Sequence, residues 1–171
     1  TWACGTVRLT TISTSSSASS WSRVPLRGTS NAAALAAARH AVEDGELFLN
    51  SAILPELVEA AVRCDEHGLA VRGMDALTER AEAVGTPSAL GLAASARGLL
   101  TGVEDHHREA VELLGSSPLV PYRARAHLLY GEWLRRRNRR RDCLVHLRTA
   151  HELCVATGAD GFARRAAIEL R

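Results

Sequence analysis

The last third of the chain repeats apolar residues with the period of an α-helix. Between Tyr122 and Gly158, apolar positions recur every three or four residues, which places them on one face of a helix. The first such face contains Ala126, Leu129, Tyr130, Trp133 and Leu134, and the second contains Cys143, Leu147, Ala150 and Cys154. An arginine-rich run separates them, and Gly158 follows the second face where a helix commonly ends. This stretch therefore predicts two helices joined by a basic turn.

The same period extends upstream. Glycines end each predicted segment except the last, and Asn, Asp or Pro residues stand near several of the starts, as is typical of helix caps. The predicted helices run from Asn31 to Gly45, Pro55 to Gly68, Ala70 to Gly85, Thr86 to Gly102 and Asp105 to Gly115, with a last one over 160–171. No segment reads as a convincing strand. We therefore expect an all-α domain over residues 31–171.

Small residues recur at matching positions in these helices. Three pairs lie twelve residues apart, and each is followed four residues later by a leucine. The pairs with their leucines are Ala61, Gly73 and Leu77; Gly98, Ala110 and Leu114; and Gly131, Cys143 and Leu147. Small residues let two helix backbones approach closely. The units start 37 and 33 residues apart, which predicts tetratricopeptide-like antiparallel helix pairs in a right-handed α-solenoid. The alternative is a helical bundle whose alanines align by chance.

Residues 1–30 have a different composition. From Thr10 to Ser22, ten of the thirteen residues are serine or threonine. Such a segment buries too little apolar surface to offset the entropy lost on ordering. We expect a disordered lead before the helical domain.

Positive charge is concentrated in one place. The chain has a net charge of +2, and six of its 21 basic residues fall within 135–141. These are Arg135, Arg136, Arg137, Arg139, Arg140 and Arg141, interrupted only by Asn138. The run is consistent with a solvated turn, because basic residues favour the C-terminal end of a helix. Alternatively, it binds nucleic acid or another phosphate group.

The sequence contains no recognisable catalytic motif. Neither GxxxxGK[ST] nor GxGxxG occurs, and no nucleophile motif surrounds Ser116. Two sets of residues have metal-ligand chemistry, namely Cys143 and His146 with His151 and Cys154, and the pair His106 and His107. The cysteines fall on a predicted core face, and adjacent histidines point in different directions. We therefore predict no catalytic, cofactor-binding or metal-binding residues, and a metal-dependent enzyme is only the third alternative.

Cysteine usage and hydropathy bear on location. The four cysteines show no tight paired spacing, which favours a reduced, cytoplasmic setting. No run of 18 apolar residues is present, so we expect no membrane span.

Two segments resemble a known family, namely LPELVEAAVR at 54–63 and the whole of 123–171. They are similar to the helical-repeat region of large ATPase-containing LuxR-type transcriptional regulators. There, a run like HLLYGEWLRR, an arginine-rich turn, a helix like HLRTAHEL and a GAxxFARRA segment precede a DNA-binding helix-turn-helix. The resemblance covers residues 46–171. Cys143 stands where the family usually has alanine, and residues 1–30 do not resemble it.

The resemblance implies a fragment of such a regulator that acts as a protein-interaction or signal-integration scaffold. Its partner would be a protein or a small-molecule inducer. Neither a Walker motif nor a helix-turn-helix is present in this sequence. DNA would therefore be contacted only through a helix-turn-helix that these residues do not include.

Overall fold

The computed structural model describes residues 29–43 and 47–171, and both parts are largely helical. The helices are α1 (Thr29–Glu43), α2 (Leu47–Arg63), α3 (His67–Val84), α4 (Pro87–Thr101), α5 (Glu104–Gly115), α6 (Val120–Arg136), α7 (Arg140–Ala156) and α8 (Asp160–Glu169). No strand occurs within these ranges. The all-α prediction is therefore confirmed for the described residues, whereas the serine- and threonine-rich lead falls almost entirely outside them.

The helices contact one another in a regular order. Each helix contacts the next one along the chain, and α2, α4, α6 and α8 also contact one another in succession. Within the described residues, α3, α5 and α7 have no comparable contacts with each other. The even-numbered helices thus form a continuous series of contacts, and each odd-numbered helix packs against its neighbours in sequence.

Close packing between helices depends on the predicted small residues. A Cβ atom added at Gly131 of α6 would lie 2.7 Å from Cγ of Leu147 on α7. At Gly98 of α4, the ring of His107 takes the corresponding position, at 2.9 Å from an added Cβ. Leu114 instead packs on Gly91, where an added Cβ would lie 2.7 Å from its Cγ. The small residues do bring neighbouring helices together, although the leucine four residues later is not always the side chain that fills the gap.

The buried face of helix α4 consists of small residues. Its six buried residues are all Gly, Ala or Ser, namely Gly91, Ala93, Ala94, Ser95, Ala96 and Gly98. Helices α2 and α6 both contact it. Long side chains from α2 and α6 therefore have room to meet.

Several predicted helix ends are confirmed. Gly85, Gly102 and Gly158 have φ values of 66°, 65° and 70°, in the left-handed region that glycine tolerates. The Thr86 hydroxyl accepts a hydrogen bond of 3.3 Å from the Ala89 amide and caps α4.

Other predicted boundaries are wrong. Helix α2 begins at Leu47 and contains Pro55, which the sequence had placed at its start. It ends at Arg63, before the predicted Gly68, because Asp65 adopts the left-handed conformation with a φ of 61°. Asn31 lies inside α1, which begins at Thr29. Asp105 lies in the first turn of α5, whose N-cap residue is Val103.

Two core regions account for most of the buried apolar surface. One joins α1 to α4 around Val58, Ala61 and Leu77. The other joins α6, α7 and α8 around Leu128, Leu147 and Ala166. Each of the nine apolar residues predicted to face inward on α6 and α7 is buried. Among the described helices, none has the length and apolar character required to span a membrane.

Candidate functional site

Helices α2 and α6 are joined by charged side chains next to the small-residue face of α4. Arg125 on α6 donates from Nε to Oε2 of Glu59 on α2, at 2.9 Å. Its Nη2 also bonds Oε2 of Glu59, and its Nη1 bonds Glu56. The Arg125 and Glu59 side chains are only 7% and 8% exposed. This ion pair therefore lies in the interior.

Arg165 on α8 joins a second carboxylate to the first. Its Nη1 donates to Oε1 of Glu59 at 2.7 Å. Its Nε and Nη2 donate to the two oxygens of Glu132 on α6, at 2.5 and 2.7 Å. Arg63 on α2 donates to Glu59 at 2.9 Å and to Glu132 at 3.0 Å. We call these five residues, Glu59, Arg63, Arg125, Glu132 and Arg165, the ion network.

Burial shifts the proton affinities of the ion network. Loss of hydration raises the pKa of Glu59, and the neighbouring Arg63 charge opposes this shift. Burial raises the pKa of Glu132 to about 8, with Arg63 opposing and Glu59 adding to the shift. Burial also lowers the pKa of Arg125 to about 10. The network is thus costly to desolvate and depends on mutual pairing of its members.

A cavity of about 730 Å³ opens beside the ion network. Its walls come from α1, α2, α6 and α8, and its volume falls in the range of small-molecule sites. The charged residues that line it are Arg63, Arg135, Arg136, Arg165, Glu56, Glu59, Glu132 and Glu169. Phe162 and Ile168 of α8 add apolar surface. The cavity thus offers charged and apolar contacts to a ligand.

The six predicted site arginines do not form one patch. Arg135 bonds the carboxylate and the backbone carbonyl of Glu169, at 2.8 and 2.6 Å. Together with Arg136, it lines the cavity. Arg137 instead lies over the Trp133 ring, at 4.8 Å from its centroid.

The second half of the run belongs to the next helix. Arg139 bonds Glu104 at 2.5 Å and Asp142 at 2.9 Å, and Arg140 and Arg141 begin α7. Asn138, between the two halves, turns the chain with a φ of 59°. All six arginines are exposed. Binding of phosphate by the run as a whole remains a prediction, and the contacts of Arg135, Arg137 and Arg139 with their own chain compete with it.

A histidine and aromatic cluster lies between α5, α6 and α7. Nδ1 of His127 is 2.9 Å from Nδ1 of His146, and the His146 ring centroid is 4.4 Å from that of Tyr130. His107 stacks on Tyr130 at 5.7 Å and is 1% exposed. Burial lowers the pKa of both His107 and His127 to about 4. These rings are therefore held neutral and act as packing groups.

The residues considered as metal ligands are dispersed. Cys143 and Cys154 are buried in different core clusters. Burial raises the pKa of the Cys154 thiol to about 11, which opposes formation of a thiolate ligand. His106 lies 3.8 Å from Glu109, whereas His107 faces the core. Within the described residues, no group of three or more His, Cys, Asp or Glu side chains is arranged to hold a metal ion.

Sequence reasoning missed the ion network and the cavity. A signal was present, because Glu59 and Glu132 interrupt apolar stretches, LVEAAV and LLYGEWL. A glutamate on an apolar helix face indicates a buried partner. Its partner could not be identified, since Glu59 and Arg165 are 106 residues apart.

Comparison with known proteins gives no relative. No protein-family model, no curated protein and no solved structure matches this chain.

Proposed function

We propose that this chain is a tetratricopeptide-like repeat scaffold that serves as the interaction or signal-integration part of a LuxR-type transcriptional regulator. The observation that carries the proposal is that the even-numbered helices contact one another in succession and that small residues recur at matching helix positions. Helices α2, α4, α6 and α8 contact in succession, and the pairs Ala61 and Gly73, Gly98 and Ala110, and Gly131 and Cys143 are all buried. Repeat stacks are built from such units, each of which contacts its neighbours.

The pairing of helices supports the repeat interpretation. Each small-residue pair joins an even-numbered helix to the odd-numbered helix that follows it, so the units are α2 with α3, α4 with α5, and α6 with α7. On this proposal, the even-numbered helices line the concave side of a right-handed solenoid, and α8 begins a further unit. The cavity then lies on the concave side, where repeat scaffolds bind their partners.

The regulator assignment depends on the resemblance of 54–63 and 123–171. The second segment corresponds to α6, α7 and α8, and it supplies Arg135, Arg136 and Arg165 to the cavity wall. The part of the chain that resembles the family is thus also a large part of the candidate site. In this proposal the chain has no catalytic activity of its own, acts in the cytoplasm, and responds to a protein or to a small-molecule inducer.

The genomic DNA on both sides of the coding sequence tests this assignment. We expect a reading frame that continues into a helix-turn-helix, or one preceded by a Walker-type ATPase. Flanking sequence that encodes an unrelated catalytic domain in the same frame would contradict the proposal. A reporter assay on the full regulator then compares wild type with Arg136→Gln, which alters the cavity wall. A transcriptional response that is unchanged would argue against a sensing role for the cavity.

A further inference from the structure

We propose that the cavity between α2, α6 and α8 binds a small organic anion, whose phosphate or carboxylate group is held by Arg136 together with Arg63 and Arg135. This inference names the chemistry of the small-molecule signal in the proposed function. The biological role of the anion therefore rests on that proposed function. It also divides the arginine run, since Arg136 and Arg135 face the cavity and Arg140 and Arg141 do not line it.

The two buried carboxylates have no free acceptor oxygen. Oε1 of Glu59 accepts from Arg63 and Arg165, and its Oε2 accepts from Arg125. Oε1 of Glu132 accepts from Arg165, and its Oε2 accepts from Arg63 and Arg165. These acceptors are therefore committed to the ion network and offer little to a cationic ligand.

The guanidinium groups, in contrast, retain unused donors. Each arginine carries five N–H donors. Arg63 uses Nε and Nη2, which leaves Nη1, and Arg135 uses only Nη1. Among the described residues, Arg136 has neither a hydrogen bond nor an ion pair, although it lines the cavity. Glu56 and Glu169 each keep one unbonded carboxylate oxygen, but the unused N–H groups of the three arginines outnumber these acceptors, which favours an anion.

The remaining wall limits the rest of the ligand. Phe162, Ile168 and Ala34 line the same space and provide apolar contact. A volume of about 730 Å³ suits a small molecule with an apolar body, not a polymer. Glu56 and Glu169 also line the cavity and would repel the successive phosphates of a nucleic acid strand. A single anionic group beside Arg136 meets less of this repulsion than a strand of successive phosphates does.

A titration followed by protein NMR tests the proposal and tolerates weak binding. The probes are phenyl phosphate and benzoate, with phenol as the uncharged analogue. We expect at least one anion to shift the amide signals of Phe162 and Ile168, and phenol to bind at least about tenfold more weakly. The two anions distinguish a phosphate ligand from a carboxylate ligand. Absence of shifts with both anions up to about 10 mM, or equal affinity for phenol, would overturn the proposal.

Matched variants locate the binding group. The Arg136 side chain is exposed and forms no ion pair with any described residue. Arg136→Gln should therefore retain the fold. We expect it to weaken anion binding about tenfold or more. Arg141→Gln removes an exposed arginine of the same run outside the cavity and should change the affinity less than about twofold. Equal losses in both variants would place the anion on the surface and contradict the cavity site.

A second variant tests the cavity through a different helix. Ile168 on α8 is 45% exposed and lines the cavity, so Ile168→Asp should fold and place a negative charge beside the site. Anion binding should then be lost, and unchanged binding would overturn the proposal.

A short DNA duplex gives the last comparison. Suppose that the duplex binds with a steep salt dependence, that Arg136→Gln and Arg141→Gln weaken duplex binding equally, and that phenyl phosphate does not bind. The arginine run is then a nucleic-acid contact, and the proposal fails. If the flanking DNA encodes a helix-turn-helix but no anion binds, only this inference is wrong. If an anion binds but the flanking DNA encodes no regulator domains, only the proposed function is wrong.

Discussion

Arg165 on α8 donates a 2.7 Å hydrogen bond from Nη1 to Oε1 of Glu59 on α2, across 106 residues of sequence. The same guanidinium also bonds both oxygens of Glu132 on α6. One side chain therefore joins three helices that are distant in sequence.

Replacement of Arg165 by methionine should strongly destabilise the fold. The change leaves the buried carboxylates of Glu59 and Glu132 without a main partner, and loss of one member of a buried ion pair costs about 3–5 kcal/mol. Urea denaturation would measure the free energy of unfolding. Arg148→Met, at an exposed position of α7, is the control and should change stability by less than about 0.5 kcal/mol. Similar stability for the two variants would show that the ion network contributes little.

Gly131 and Gly115 form a matched pair of helical glycines. A methyl group at Gly131 would meet Leu147 at 2.7 Å for Cγ and 3.3 Å for the backbone nitrogen, so Gly131→Ala should cost about 1–3 kcal/mol. At Gly115 no atom lies within 4 Å of an added Cβ, and Gly115→Ala should gain up to about 1 kcal/mol from helix propensity. Thermal denaturation of both variants checks the opposite signs. A stabilised Gly131→Ala variant would contradict the close approach of α6 and α7.

Trp133 contributes both packing and a hydrogen bond. Its side chain is buried, and its Nε1 donates to the Gly102 carbonyl at 3.0 Å. Trp133→Ala should lower the free energy of unfolding by about 3–5 kcal/mol. Trp133→Phe retains an aromatic ring but loses the hydrogen bond, and a smaller loss of about 1–2 kcal/mol is expected in urea titrations. Unchanged stability in the alanine variant would contradict the packing of α6 against its neighbours.

The histidine pair should make stability depend on pH. Burial, with the nearby His146, lowers the pKa of His127 to about 4, below its ordinary value of 6.5. The unfolded chain then takes up a proton before the folded chain does, so stability present above pH 6.5 is lost as the pH falls towards 4. Urea titrations between these limits should show a shallower decline for His127→Asn than for wild type. His67→Asn, at an exposed position, should follow the wild-type profile.

Local sequence features predicted the helices well and the site poorly. Apolar periodicity identified the buried faces of α6 and α7, and Gly85 and Gly102 marked helix ends because positive φ is a local requirement. Pro55 gave a wrong helix start, since α2 continues through it from Leu47 to Arg63. Asp65 and Asn138 are the non-glycine residues that take positive φ in the described part of the chain, a choice that propensity alone leaves open.

The ion network was not predictable for a different reason. Glu59, Glu132 and Arg165 belong to three helices that are separated in sequence, and α2 and α6 both contact α4, whose buried residues are all small. The arginine run has the highest charge density of the sequence, whereas Arg165 and Arg125, which lie outside it, make the buried contacts. Burial of a charge is decided by its three-dimensional surroundings and not by its neighbours in sequence.

The ion network has a consequence for how the chain unfolds. Helical arrays with contacts only between neighbours can fray from either end, one unit at a time. Here α8 is bonded to α2 through Arg165 and Glu59, so these two helices cannot separate without exposing the same charged groups. We therefore expect urea denaturation to be a single cooperative event, in which the backbone amides of α2 and α8 exchange with similar protection.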